Sequence, residues 1–129
     1  MVLCALGALW TGQARAGAEL HCDVTYAGAT EHLVARPVPD PYTVPATDIR
    51  GRFRFKAVLV GTPDSVERVN LYVYQNTPQQ PVLVQQARYL PPFARLAGGA
   101  APLTGQQRLY AGPMERELIY SCTLEGLQP

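Results

Sequence analysis

Basic and aromatic side chains alternate with apolar ones in two consecutive segments of this chain. Arg52, Arg54 and Lys56 occupy every second position of one segment, and Tyr72 and Tyr74 do the same in the next. Residues two apart share one face of a β-strand. Guanidinium and ammonium groups bind carboxylates or phosphates, and tyrosine rings offer flat stacking surfaces. These five residues are therefore the predicted ligand-binding set.

A hairpin between the two segments would bring both parts of this set together. If residues 61–67 form the connecting loop, residues whose numbers add to 128 lie opposite each other. Lys56 then faces Tyr72, and Arg54 faces Tyr74, which allows cation–π contacts across the strands. Envelope glycans and lipid headgroups carry features that such a set binds. The alternative is an ordinary exposed strand face, on which long basic and aromatic side chains shelter the sheet.

No catalytic residue is predicted. Ser65 and Ser121 are the only serines, and neither lies in a Gly-x-Ser-x-Gly motif. Glu115 and Glu117 favour a solvated start of a strand over an acid–base pair. The sequence also lacks a nucleotide-binding fingerprint, so no cofactor is predicted. A hydrolase-type enzyme whose residues converge only in space stays open as the minority alternative.

The two histidines of the chain could approach an aspartate. If residues 27–30 form a turn, His32 lies opposite Thr25, on the face that also holds His21 and Asp23. Imidazole and carboxylate groups are metal ligands. These residues belong to different cross-strand pairs, however, and the sequence shows no further residue that would orient them as metal ligands. The pattern favours ordinary surface residues, and no metal site is predicted.

Three cysteines are present, and their positions predict one disulfide bond. Cys4 lies in an apolar N-terminal run, whereas Cys22 and Cys122 lie near the two ends of the remaining chain. A bridge between the latter two would join the first strand to the last. In the chain-entropy account, a loop of this length contributes about 4–5 kcal/mol of stability. A disulfide of this kind indicates an oxidising compartment.

Residues 1–18 have most features of a secretory signal. The apolar run at residues 2–10 is shorter than the roughly 20 residues that a membrane-spanning helix needs. An A-x-A pattern follows, so cleavage is predicted after Ala16 or Ala18. No basic residue precedes the run, which would be explained by a start codon assigned too late. The alternative is that residues 1–18 form a short apolar N-terminal strand or helix. If they are a signal, the protein is expected to be periplasmic or secreted, with no transmembrane segment in the mature chain.

The charge balance argues against some partner classes. The whole chain carries a net charge of +1, and removal of Arg15 with the signal brings it to zero. A neutral protein exerts no general attraction on polyanions. Nucleic acid is therefore not an expected partner.

Period-two alternation predicts an all-β fold for residues 19–127, as a single domain. We expect an antiparallel β-sandwich or a partly open barrel of about seven strands. The segment Pro37–Pro45 holds four prolines and is expected to cross between sheets without regular strand pairing. The predicted strands cover residues 19–26, 31–38, 49–60, 68–75, 82–89, 106–110 and 117–125.

Together these features predict a small exported β domain that acts as a non-catalytic binding or accessory protein of the bacterial envelope. Its partner would be an envelope glycan, a lipid headgroup or another protein. One alternative is a structural subunit that pairs through exposed strand edges. The other is the hydrolase-type enzyme mentioned above.

Overall fold

A computed structural model describes Gly7, residues 17–96 and residues 99–127. The predicted signal segment, including Cys4, lies outside the described residues apart from Gly7, Gly17 and Ala18. The described residues are all-β, as predicted, and form ten strands, of which seven are five residues or longer. The strands are β1 (Glu19–Tyr26), β2 (Ala29–Ala35), β3 (Pro37–Val38), β4 (Thr47–Ile49), β5 (Phe53–Thr62), β6 (Ser65–Gln75), β7 (Val82–Tyr89), β8 (Ala101–Pro102), β9 (Gln107–Ala111) and β10 (Arg116–Glu125).

The strands form two sheets that enclose one apolar core. In the first sheet β1 lies between β2 and β10, and the other edge of β10 pairs with β8 and β9. In the second sheet the order is β5, β6, β7, with β3 and β4 both paired to β5. All pairings are antiparallel except that of β3 with β5. Within the described ranges, no helix has the length and apolarity needed to cross a membrane.

Alternate residues of the long strands face the core, which explains why period two dominates the sequence. The rings of Phe55 and Tyr120 lie 5.2 Å apart between the sheets. The Tyr120 hydroxyl also donates a hydrogen bond of 2.5 Å to Oε1 of Gln85 in β7. The inward residues of β1, β5, β6 and β10 are fully buried, namely Leu20, Cys22, Val24, Phe53, Phe55, Leu59, Val69, Leu71, Val73, Leu118, Tyr120, Cys122 and Leu124.

The predicted disulfide between Cys22 and Cys122 is present. The two residues lie directly opposite each other in β1 and β10, with their Cα atoms 4.1 Å apart. Both are buried in the core. The bond joins strands that are already neighbours and closes a sequence separation of 100 residues.

Several predicted segments differ from the structure. The strand predicted over 49–60 is interrupted, because residues 50–52 form a turn between β4 and β5. In this turn Arg50 and Gly51 have φ values of 51° and 72°, a left-handed geometry that glycine favours. The strand predicted over 31–38 ends at Ala35. Pro37 and Val38 do pair with β5, at the edge of the sheet where a missing proline N–H is tolerated.

The loop predicted over residues 61–67 is shorter in the structure. The strands continue to Thr62 and Ser65, so the turn itself comprises only residues 63 and 64. Next to this turn, the numbers of opposite residues add to 127, as in the pair Thr62 and Ser65. A β-bulge beside Gly61 then shifts the register, so that the numbers of opposite residues add to 128. The bulge therefore restores the strand pairing that the longer loop predicted.

Candidate ligand-binding site

Four of the five predicted ligand residues lie together on the outer face of the second sheet. We call Arg54, Lys56, Tyr72 and Tyr74 the basic–aromatic strip. Arg54 lies opposite Tyr74, and Lys56 lies opposite Tyr72, in the register predicted from the sequence. This pairing depends on the bulge. Without the bulge, the numbers of opposite residues would add to 127 along the whole hairpin, and both tyrosines would lie opposite the core residues Phe55 and Phe53.

The two tyrosine rings stand nearly parallel beside each other. Their centroids are 6.4 Å apart, and the angle between the ring planes is 18°. Nζ of Lys56 lies 5.2 Å from the centroid of the Tyr72 ring, within cation–π distance. Both rings are half-buried, so part of each stays accessible. This part of the strip offers two flat surfaces with a positive charge beside them.

Two residues that sequence reasoning missed orient Arg54. Its Nε donates a 2.9 Å hydrogen bond to Oδ1 of Asn76. Nδ2 of Asn76 in turn donates a 3.1 Å hydrogen bond to Oδ1 of Asp48. The other carboxylate oxygen of Asp48 accepts a hydrogen bond from the backbone N–H of Gly51. Asp followed three residues later by Gly is a recognised turn signal, and it could have revealed this part of the arrangement.

The strip extends onto β7 through two further residues that the sequence did not indicate. Gln86 lies opposite Tyr72, and Leu83 lies opposite Tyr74. The side chain of Gln86 is exposed, and Leu83 is 47% exposed. Each tyrosine is therefore flanked by a basic residue on one side and by an exposed β7 residue on the other.

Arg52 lies outside this row. It belongs to the turn before β5, where its backbone N–H donates to the carbonyl of Ile49. It lines a separate surface cavity of about 320 Å³ together with Asn76, Met114 and Arg116. The interrupted strand explains the difference, because the alternation of β5 begins only at Phe53.

The basic side chains of the strip have no direct carboxylate contact, although the Asp48 carboxylate lies opposite Arg54 in β4 and is linked to it through Asn76. In the part of the chain that the structure describes, neither Arg54 nor Lys56 forms an ion pair. By contrast, Arg68 at the far end of β6 lies 3.7 Å from the carboxylate of Glu67. The basic groups of the strip are therefore available to an anionic ligand.

A surface cavity outside the basic–aromatic strip lies beside β2 and the proline-rich crossover. It has a volume of about 390 Å³, and its lining is mainly apolar. Arg36 lies at this cavity, and its Nη2 is 3.6 Å from a carboxylate oxygen of Glu19. The cavity contains none of the predicted ligand residues.

The histidines lie on the outer face of the first sheet, in a different register from the one predicted. The turn between β1 and β2 comprises only Ala27 and Gly28, so His32 pairs with Asp23 and not with Thr25. Nδ1 of His32 is 2.7 Å from Oδ1 of Asp23. Among the residues that the structure describes, no three histidine, cysteine or acidic residues form a group suited to a metal ion.

The chemistry of the basic–aromatic strip is that of binding. Guanidinium and ammonium groups attract and orient anions, and aromatic rings stack on flat or apolar surfaces. Comparisons with protein-family models, with curated proteins and with solved structures found no match to this chain.

Proposed function

We propose that this protein is an exported, non-catalytic binding protein of the bacterial envelope, and that it captures acidic glycans on the basic–aromatic strip. One observation carries the proposal. Two nearly parallel tyrosine rings lie on one strand, and two basic residues without an ion pair among the described residues lie opposite them on the next. This combination matches a ligand that has both rings and negative charge.

Each part of the strip has a role in this proposal. The apolar faces of sugar rings stack on Tyr72 and Tyr74, as apolar groups do on aromatic side chains. A carboxylate or phosphate of the glycan binds Arg54 through charge-assisted hydrogen bonds, with the guanidinium held in place by Asn76. The exposed amide of Gln86 can both donate to and accept from sugar hydroxyls.

Export is part of the proposal and has its own support. The buried disulfide is compatible with an oxidising compartment. The apolar run and the A-x-A patterns of residues 1–18 agree with a signal segment. A protein outside the cytoplasm would meet envelope glycans directly.

Binding to a panel of acidic and neutral glycans of matched length tests the proposed ligand. The wild type should prefer the acidic members, and Tyr74→Ala and Lys56→Ala should each weaken that binding about tenfold, or about 1.4 kcal/mol. Tyr110→Ala and Arg108→Ala are matched controls, because these exposed residues lie on β9 of the other sheet. Salt of about 1 M should weaken binding to acidic glycans most, since the screening length is then about 3 Å.

Three outcomes would contradict the glycan assignment. Equal affinity for acidic and neutral glycans would show that the basic residues do not select the ligand. Unchanged affinity in the two strip variants would show that glycans bind at another site. Binding to vesicles with anionic headgroups, without binding to any glycan, would assign the strip to lipids instead.

The exposed edge of β7 favours a second candidate function, an accessory subunit that pairs with another chain. In the described ranges β7 pairs only with β6. Its residues Val82, Leu83 and Val84 are 44%, 47% and 37% exposed. β7 contains no lysine or proline, and its first three residues offer an exposed apolar stretch of edge for strand addition, up to the bulge at Val84. In that case Val84→Lys should abolish self-association or partner binding in sedimentation measurements while glycan binding persists.

A further inference from the structure

The two histidines of the chain meet across β1 and β2, and each also contacts a carboxylate. Nδ1 of His21 lies 3.1 Å from Nε2 of His32. On the far side of each ring, His32 Nδ1 is 2.7 Å from Oδ1 of Asp23, and His21 Nε2 is 3.1 Å from Oε2 of Glu125. The four side chains thus form a row of carboxylate, imidazole, imidazole and carboxylate.

The Asp23 carboxylate fixes the hydrogen of one imidazole. An ionised carboxylate can only accept, so Nδ1 of His32 carries a hydrogen, and a neutral imidazole has only one N–H. Nε2 of His32 therefore directs a lone pair toward Nδ1 of His21, 3.1 Å away. Nδ1 of His21 either donates a hydrogen bond to this lone pair or, with its hydrogen on Nε2 beside Glu125, presents a second lone pair. In the second tautomer the two inner nitrogens can bind one metal ion together.

The distance between the inner nitrogens fits a shared metal ion. Zinc binds histidine nitrogen at about 2.0–2.1 Å in tetrahedral geometry, which separates two such ligands by about 3.3 Å. The observed 3.1 Å differs from that value by an amount that small ring rotations remove. Carboxylates on the outer nitrogens are the usual partners that orient metal-binding histidines.

We propose that His21 and His32 form a surface site for a late first-row divalent metal ion such as Cu²⁺ or Zn²⁺. Asp23 and Glu125 hold the two rings and offset part of the charge of the ion. Imidazole pairs bind both metals, with copper preferred by the general order of affinities. The site lies on the first sheet and does not depend on the glycan proposal.

The exposure of the pair defines what kind of site this is. The side chain of His32 is 55% exposed, and that of His21 is 23% exposed. No third histidine, cysteine or acidic ligand joins the pair to make a larger group within the described ranges. Water would fill the remaining coordination positions, so the ion is exchangeable and is not needed for folding.

Calorimetric titration of untagged, chelator-treated protein with CuCl₂ and ZnCl₂ at neutral pH tests the site. We expect one ion per chain and tighter binding of copper than of zinc. His21→Ala and His32→Ala should each abolish the binding event. Asp23→Asn should weaken it about tenfold to a hundredfold, because it removes the ring's anionic partner. Asp64→Asn, in the turn between β5 and β6, is the matched control and should leave affinity unchanged.

A second measurement needs no variant. Addition of Zn²⁺ to the wild type should shift the imidazole nitrogen signals of both histidines in NMR spectra. If neither ion binds and these signals do not move, the proposal is overturned, and the pair shares only a proton. Binding that persists in both alanine variants would also overturn it, because the ion would then lie elsewhere.

Discussion

Reduction of the Cys22–Cys122 bond should lower the free energy of unfolding by about 4–5 kcal/mol. The magnitude follows from the sequence separation of 100 residues, since opening a loop of this size restores that much chain entropy to the unfolded state. Small domains have total stabilities of about 5–15 kcal/mol. The single bond would therefore account for about a quarter or more of the stability of this protein.

The effect should lie mainly in the unfolded state. Eight residue pairs already join β1 to β10, so the reduced protein keeps its strand pairing and its core. Urea denaturation of oxidised and reduced wild type measures the difference, with circular dichroism of the native baseline as a control for structure. The slope of free energy against urea should rise on reduction, because an open chain exposes more surface when it unfolds.

Reduced wild type is a better test than alanine variants, because it keeps both buried sulfurs and creates no cavity. Cys22→Ala/Cys122→Ala should be less stable than the reduced wild type, since buried volume is also lost. A loss of less than about 1 kcal/mol on reduction, with an unchanged slope, would refute the loop-entropy reasoning.

Three further predictions concern the core, the bulge and the N-terminus. Burial, followed by the effect of a neighbouring tyrosine, raises the pKa of Tyr120 from 10.0 to about 12. Because the neutral hydroxyl of Tyr120 is favoured in the folded state, its contribution to the free energy of unfolding is complete below pH 10. This contribution is lost between pH 10 and pH 12 and amounts to at most about 2–3 kcal/mol. Urea titrations of Tyr120→Phe should not show this loss. Gly61→Ala should cost about 1–3 kcal/mol in thermal unfolding, because Gly61 has a φ of 144° and an added Cβ would collide with the Ser65 carbonyl oxygen. Intact-mass measurement of exported protein should give Gly17 as the first residue, since Ala18 is buried and its N–H donates to the Pro63 carbonyl oxygen.

The alternation of apolar residues was sufficient to predict the main strands and the inward direction of both cysteines. The pairing of the strip is a more instructive case. The predicted loop was too long, yet the register was right, because the bulge beside Gly61 adds the residue that a short turn omits. A bulge depends on local backbone geometry that period-two patterns do not contain.

Side-chain contacts that depend on turns could not be predicted in the same way. Asn76 reaches Arg54 only because residues 50–52 form a turn and the backbone N–H of Asn76 donates to the Arg52 carbonyl. The sequence predicts a four-residue turn after β1, which places His32 opposite Thr25, whereas in the structure Ala27 and Gly28 alone form the turn and His32 lies opposite Asp23. Positive φ values at both turn residues, 51° and 80°, allow this tight connection.

The position of β10 has a consequence for how the chain reaches its native state. This strand is the last in sequence, yet it lies inside the first sheet, where it contacts β1 on one side and β8 and β9 on the other. A nascent polypeptide leaving the ribosome therefore cannot assemble that sheet until residues 116–125 have been synthesised. Contacts between residues so far apart in sequence form slowly, so the first sheet closes late, and the core that it shares with the second sheet stays incomplete until then.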